Sequence, residues 1–281
     1  MPIYKKYNQQ QLDLQYNNRF HVPDFETYLK RWENLSREAE LKHHIIKDLH
    51  YGNLSRERLD VLPSPKPHSK TLVFIHGGYW QLFDKSSFYF IAAVFAQYDI
   101  TTVLLNYPLS PADSMDQIVT SCRKALSWLK DNLAELGGDP NQIYVAGHSA
   151  GAHLAAMLIT RDNPESNAIS LKGICAISGI YNLIPIQLSK INTVLKMNKV
   201  MVNKNSPAFF TPLISCPLLI TVGAQETEEF KDQSKELYRN WQNKTKATHI
   251  ELAGLNHFSI LDSLCYTDSL LHKALCKLIE V

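Results

Sequence analysis

Three side chains of this sequence could work as a nucleophile, its base and the acid that orients the base: Ser149, His257 and Glu226. Ser149 is the centre of Gly147-His148-Ser149-Ala150-Gly151. Before it, Gln142–Ala146 alternates Ile, Tyr and Val and reads as a short buried strand; after it, the apolar run Ala152–Thr160 reads as a helix. A serine between strand and helix presents its hydroxyl outward, and the flanking glycines let the two backbones pass closely. The N–H of Ala150 opens a helix whose dipole favours negative charge.

A serine hydroxyl is a weak nucleophile without a base, and the base needs a third group to orient it. Of 11 histidines, His257 is the candidate, because it follows the strand-like Thr248–Leu252 through a short loop. That places it at the carboxyl end of a strand, the edge where parallel sheets hold their chemistry. His148 and His153 lie in the turn and one helical turn beyond Ser149, and read as packing or turn-stabilising residues. The acid belongs at the end of the preceding strand, Pro217–Val222. Glu228 and Glu229 have an ordinary explanation as first-turn acids behind a capping Thr227. Glu226 precedes the cap and is assigned as the orienting carboxylate, with Glu229 as its rival. Asp262 follows His257 and so breaks the chain order nucleophile, acid, histidine.

Charge developing on a carbonyl oxygen needs donors already aimed at it. Gly77-Gly78, after the apolar strand Thr71–Ile75, can supply N–H groups beside that of Ala150. Tyr79 and Trp80 follow directly and are read as substrate-binding rings, crowding a large acyl group and packing an aryl leaving group. The plainer reading is that both rings point down and anchor the loop.

The positioning elements alternate. His44–Tyr51 and Arg56–Leu62 read as strands, followed by the strand Thr71–Ile75 and helix around Lys85–Gln97. Strand Thr101–Leu105 and a helix from about Ser114 to Leu136 lead to the strand before Ser149. Beyond it come strand Lys172–Ile177, strand Pro217–Val222, helix Thr227–Trp241, strand Thr248–Leu252 and a final helix from about Ser259 to Ile279. This rhythm predicts an α/β fold, one domain over 1–281 with a mostly parallel sheet and helices on both faces. Residues 179–212 interrupt it and are expected as an insertion near the site. Residues 1–45 carry the aromatic stripe Phe25, Tyr28, Leu29 and Trp32, which suits a helix docked on the core or a cap over the site.

A net charge of +2 on 281 residues gives no reason to expect nucleic acid or a membrane surface as a partner. No apolar run reaches the ~18–20 residues of a membrane span. The 5 cysteines are scattered, without a CxxC pair, and are expected reduced and mostly buried in a cytoplasmic protein. No HxH or HExxH spacing suggests a metal, and no cofactor is expected.

The HGGYW of 76–80, the GHSAGAHL of 147–154, the SGIYNL of 178–183, the VGAQETEEFKDQS of 222–234, Gln15-Tyr16-Asn17 and Asn256-His257-Phe258 run nearly end to end through the chain. Together they resemble the arylformamidases, or kynurenine formamidases, of the α/β-hydrolase fold. The resemblance implies hydrolysis of N-formyl-L-kynurenine to formate and L-kynurenine in tryptophan breakdown, through an acyl-enzyme. The substrate would be a small aryl formamide or ester; a homodimer is left open. Many members have Asp where Glu226 stands, and Asp is usual at Asn182. The runner-up is a carboxylesterase on small aryl or short-chain esters. A non-catalytic binding protein fits less well, because all three triad types are present. Arg19, Arg123 and Arg161 are all open as partners of a substrate carboxylate.

Overall fold

Runs such as Leu72-Val73-Phe74-Ile75 have no polar face to give to water, so they require cover on both sides. Each of these four side chains is at most 1% exposed, and such burial stabilises by about 1.5–3 kcal/mol per side chain. The computed structural model describes residues 1–160 and 170–281. It contains an eight-stranded sheet: β1 (Ile46–His50), β2 (Arg58–Leu62), β3 (Ser69–Ile75), β4 (Thr101–Leu105), β5 (Gly138–His148), β6 (Leu171–Ile177), β7 (Leu218–Gly223) and β8 (Ala247–Leu252). The order is β1-β2-β4-β3-β5-β6-β7-β8. β1 and β2 pair antiparallel, as do β2 and β4; from β4 to β8 every neighbour is parallel. This is the doubly covered α/β-hydrolase sheet, with one apolar cluster centred on Val73, Val145 and Ile220 and another on Phe74, Ala146 and Leu219.

The helices α1 (Gln9–Gln15), α2 (Asn18–His21) and α3 (Phe25–Lys42) precede the sheet. Among the strands lie α4 (Tyr89–Ala96), α5 (Met115–Asn132) and α6 (Ala150–Met157), then α7 (Ile184–Leu188), α8 (Asn192–Leu195), α9 (Lys199–Lys204) and α10 (Glu228–Trp241). The chain closes with α11 (Ser259–Asp262) and α12 (Leu270–Ile279). None of the described helices is long and apolar enough to cross a membrane. The five cysteines are free, four of them buried.

Three expectations shift. The helix after Ser149 starts at Ala150 and stops at Met157, and Thr160 forms an isolated bridge with Pro212 instead. The final helix is broken by a 3-10 turn at Ser263–Cys265. Ser269 then caps α12 afresh by accepting from the His272 N–H at 3.1 Å. Thr227 stands at the N-cap of α10, but its hydroxyl donates to the Gln15 carbonyl at 2.7 Å, which ties the N-terminal segment to the sheet edge.

Candidate active site

β5 ends at His148 and α6 begins at Ala150, so the turn between them is Ser149 alone. Its backbone sits at φ 57°, ψ −117°, a conformation that costs a β-carbon-bearing residue on the order of 1–3 kcal/mol. Neighbouring bonds hold it there: the Ser149 N–H donates to the Ile177 carbonyl at 2.8 Å, and its own carbonyl accepts from Ala152 and His153. The helix can start this abruptly because residue 151 is glycine; a β-carbon there would fall 1.9 Å from the Ile75 carbonyl oxygen.

The Ser149 hydroxyl lies 3.0 Å from His257 Nε2, and His257 Nδ1 lies 2.6 Å from Glu226 Oε2. A carboxylate only accepts, so the Nδ1–H donates to Glu226 and leaves Nε2 to accept the serine proton. The other carboxylate oxygen is also held: Glu226 Oε1 accepts from the Gly223 N–H at 2.7 Å and the Ser178 hydroxyl at 2.5 Å. Ser178, whose φ of 52° is also left-handed, was not singled out from sequence. Its signal was its position, one residue past the carboxyl end of β6.

Glu229 points elsewhere. It accepts from Lys5 Nζ at 3.0 Å and from the Tyr16 hydroxyl at 3.2 Å, and burial raises its pKa above the ordinary carboxylate value. Asp262 accepts from Trp32 Nε1, 2.5 Å away, and faces Arg31. Neither reaches the histidine.

His148 packs its ring 4.8 Å from that of His257 and donates its Nε2–H to the His257 carbonyl at 2.9 Å. Burial and the neighbouring His257 hold its pKa well below the ordinary histidine value, so a neutral ring braces His257. Burial likewise takes His153 and His76 down to about 4.

The loop after β3 abuts Ser149. A β-carbon on Gly77 would lie 3.1 Å from Ser149 Cβ, and Gly78 takes φ 104°, which glycine adopts freely. Among the described residues, the N–H groups of Gly77, Gly78 and Ala150 have no acceptor. Below the loop, His76 contacts Asn106 Oδ1 at 3.2 Å, and Arg56 bonds Asn106, Tyr107 and Phe83.

Tyr79 and Trp80 part company. Tyr79 lines the cavity and donates its hydroxyl to the Tyr16 carbonyl at 2.6 Å. Trp80 is 0% exposed and does not line the cavity. The expectation that it meets substrate is corrected: its Nε1–H donates to His153 Nδ1 at 3.2 Å, and His153 donates onward to the Asn205 carbonyl at 2.6 Å. Successive left-handed residues, Tyr79 at φ 51° and Trp80 at φ 58°, turn the second ring under the loop.

The cavity over Ser149 and His257 measures about 440 Å³ and is lined on its outer side by residues of α1–α3 and of the 189–194 stretch. Of the arginines considered from sequence, Arg19 lines it. Arg123 is engaged with the Met157 carbonyl and Thr160 Oγ1 at 3.1 and 3.3 Å. Arg161 lies outside the described residues. Lys190 and Asp13, neither anticipated, also line the cavity. Asn182 uses Oδ1 to accept from the Ile184 N–H at 3.0 Å, a turn that Asp would make equally well.

Residues 59–241 match the family model described as BD-FAE. The chain is 30% identical over 294 residues to the kynurenine formamidase of Danio rerio, covering 99% of each. To that of Salmo salar it is 31% identical over 238 residues, covering 81% of this chain and 80% of the other. A solved structure from Silicibacter sp. TM1040 aligns with a TM-score of 0.84 at 26% identity, covering 96% of this chain and 99% of that one. With this fold and these relatives, the chain is an amide or ester hydrolase and belongs to the arylformamidase, or kynurenine formamidase, family of α/β-hydrolases.

Proposed function

We propose that the protein hydrolyses N-formyl-L-kynurenine to formate and L-kynurenine through a formyl-enzyme on Ser149, with His257 as base and Glu226 as its orienting acid. His257 Nε2 takes the hydroxyl proton as Oγ attacks the formyl carbon. The oxyanion is received by the N–H groups of Gly77, Gly78 and Ala150. His257 then returns the proton to the aryl nitrogen, the C–N bond breaks, and the amine leaves. Water, deprotonated by His257 Nε2, attacks the formyl ester, and His257 passes that proton to Ser149 Oγ as formate leaves and the free serine is restored. The Glu226 carboxylate orients and stabilises the imidazolium.

The observation that carries this reading is the unbroken chain Glu226–His257–Ser149. It ends at a cavity whose about 440 Å³ falls within the range of small-molecule sites. The phenol of Tyr79 leaves one ring beside the acyl position, and residues 1–45 and 179–212 supply the cap over the leaving group. The test is a series of formyl, acetyl, propionyl and butyryl amides and esters on one aryl leaving group. kcat/KM is expected to drop steeply after formyl, with cleavage of the formyl amide itself. Flat or rising rates with chain length, and no amide cleavage, would assign the protein as a carboxylesterase.

A further inference from the structure

The donors of the oxyanion loop sit on a stretch of backbone that its own sequence does little to hold still. Gly77 and Gly78 flank one peptide unit, and without β-carbons its plane meets little steric resistance to turning over. Turned over, it would aim a carbonyl oxygen where the oxyanion is to be received. The N–H groups of Gly77 and Gly78 have no acceptor among the described residues, so no bond of their own fixes them.

What is held is the other end of each peptide. The Tyr107 hydroxyl lies 2.8 Å from the His76 carbonyl oxygen and 3.1 Å from that of Gly77, so its one proton is shared between the two. His76 Nδ1 stands 2.8 Å from the same Gly77 oxygen, and because a carbonyl only accepts, that nitrogen carries the hydrogen. In a trans peptide the C=O and the N–H that follows it point in opposite directions. Drawing both carbonyls toward Tyr107 therefore turns the N–H groups of Gly77 and Gly78 away from it. Tyr107 is buried and does not line the cavity, whereas both glycines do. Away from Tyr107 is toward the cavity.

The brace is itself fixed. The Tyr107 and His76 rings stack at 4.4 Å, His76 lies parallel to the Phe88 ring at 5.7 Å, and the Tyr107 carbonyl accepts from Arg56 Nε at 3.1 Å. Ile75 and Leu105, the last residues of β3 and β4, are partners in register. The two neighbouring strands thus deliver the loop and its brace to the same point.

We propose that Tyr107, assisted by His76, is the positioning residue of the oxyanion hole. It touches no substrate, and its hydroxyl sets the direction of both donors before substrate arrives. The proposal rests on the attack by Ser149 in the reaction above, and not on which acyl or leaving group is present.

The experiment compares Tyr107→Phe with Tyr89→Phe, which loses a buried hydroxyl bond, 2.6 Å to Asp60 Oδ2, away from the loop. Formanilide and phenyl acetate are the substrates. An aryl trifluoromethyl ketone is the probe: Ser149 Oγ adds to its carbonyl carbon, and the carbonyl oxygen becomes an oxyanion in the hole. In Tyr107→Phe, kcat is expected to fall about tenfold to a hundredfold with KM within a few-fold, since losing a donor outright costs about 10²–10³ and misaiming it costs less. Affinity for the ketone should fall by the same factor as kcat/KM. Tyr89→Phe should lower the urea midpoint and leave kcat and ketone affinity within a few-fold. His76→Asn, whose amide can set a donor near the Nδ1 position, should keep more of both than His76→Leu, and this pair decides if Tyr107→Phe does not fold. Unchanged kcat and ketone affinity in folded Tyr107→Phe, or equal losses in Tyr89→Phe, would overturn the positioning role and leave the serine reaction standing. Failure of the unmodified protein to cleave either substrate would overturn the reaction and the positioning role with it.

Discussion

The carboxyl edge of the sheet and the layer that covers it are built in different ways. At the edge, Ser149, Ser178 and Gly223 are fixed by backbone bonds and by left-handed or closely packed turns, and bonds of 3.0 Å or less link Ser149 to His257, His257 to Glu226, and Glu226 to the Ser178 hydroxyl and the Gly223 N–H. The covering layer, residues 1–42 with α7–α9, is held by long-range side-chain contacts: Thr227 to Gln15, Tyr7 to Glu228, Glu229 to Lys5 and Tyr16, and Trp32 to Asp262, Phe88 and Phe258, while Asp13 and Lys190 join its two parts. The difference implies a division of labour. On the proposed reaction, the edge supplies the bond-breaking groups whatever the leaving group, while the cover decides what is held over them.

The comparison is sharpest at two glutamates three residues apart, Glu226 within the edge and Glu229 where the N-terminal segment is tied down. Ser149→Ala should lower kcat by about four to six orders of magnitude, and Glu226→Gln by about three to four, on formyl amides and esters alike. Glu229→Gln should leave kcat within a few-fold and instead lower stability by about 1–2 kcal/mol, read by urea unfolding, because it removes a charged bond to Lys5. If Glu229→Gln abolished turnover and Glu226→Gln only destabilised, the assignment of the acid would pass to Glu229.

Acid should act on both regions through histidines that never touch substrate. His76 under the oxyanion loop and His153 between Trp80 and Asn205 have folded pKa values of about 4, lowered by burial. Their neutral forms are favoured by folding, so the stability they contribute is present above the ordinary histidine pKa of about 6.5 and is lost as pH falls towards 4. Between pH 7 and pH 5 that loss is about 2 kcal/mol apiece. Urea unfolding at the two pH values measures it.

The edge was also the more legible region. Apolar runs such as Thr71–Ile75 declare strands covered on both faces, and the glycines around Ser149 declare a turn that nothing larger could make. Glu226 was separable from Glu229 because the helix start at Thr227 explains one and not the other. What escaped lies in backbone turns and long-range contacts. Trp80 adjoins the oxyanion glycines in sequence, but a run of left-handed residues from Gly78 turns it into the core. Lys190 and Asp13 are 177 positions apart, so no local pattern could pair them. The hydroxyl of Thr227 gave up the capping role that its type suggests for a partner 212 positions away.

The central claim, that Ser149 is the nucleophile and is activated through Glu226, is tested most directly by reaction with a p-nitrophenyl alkylphosphonate, followed by peptide mass mapping. One phosphonyl adduct is expected, on the peptide that holds Ser149. It should be absent in Ser149→Ala, slowed in Glu226→Gln in parallel with turnover, and unaffected in Glu229→Gln. An adduct on another residue, or undiminished labelling and turnover in Ser149→Ala, would contradict it.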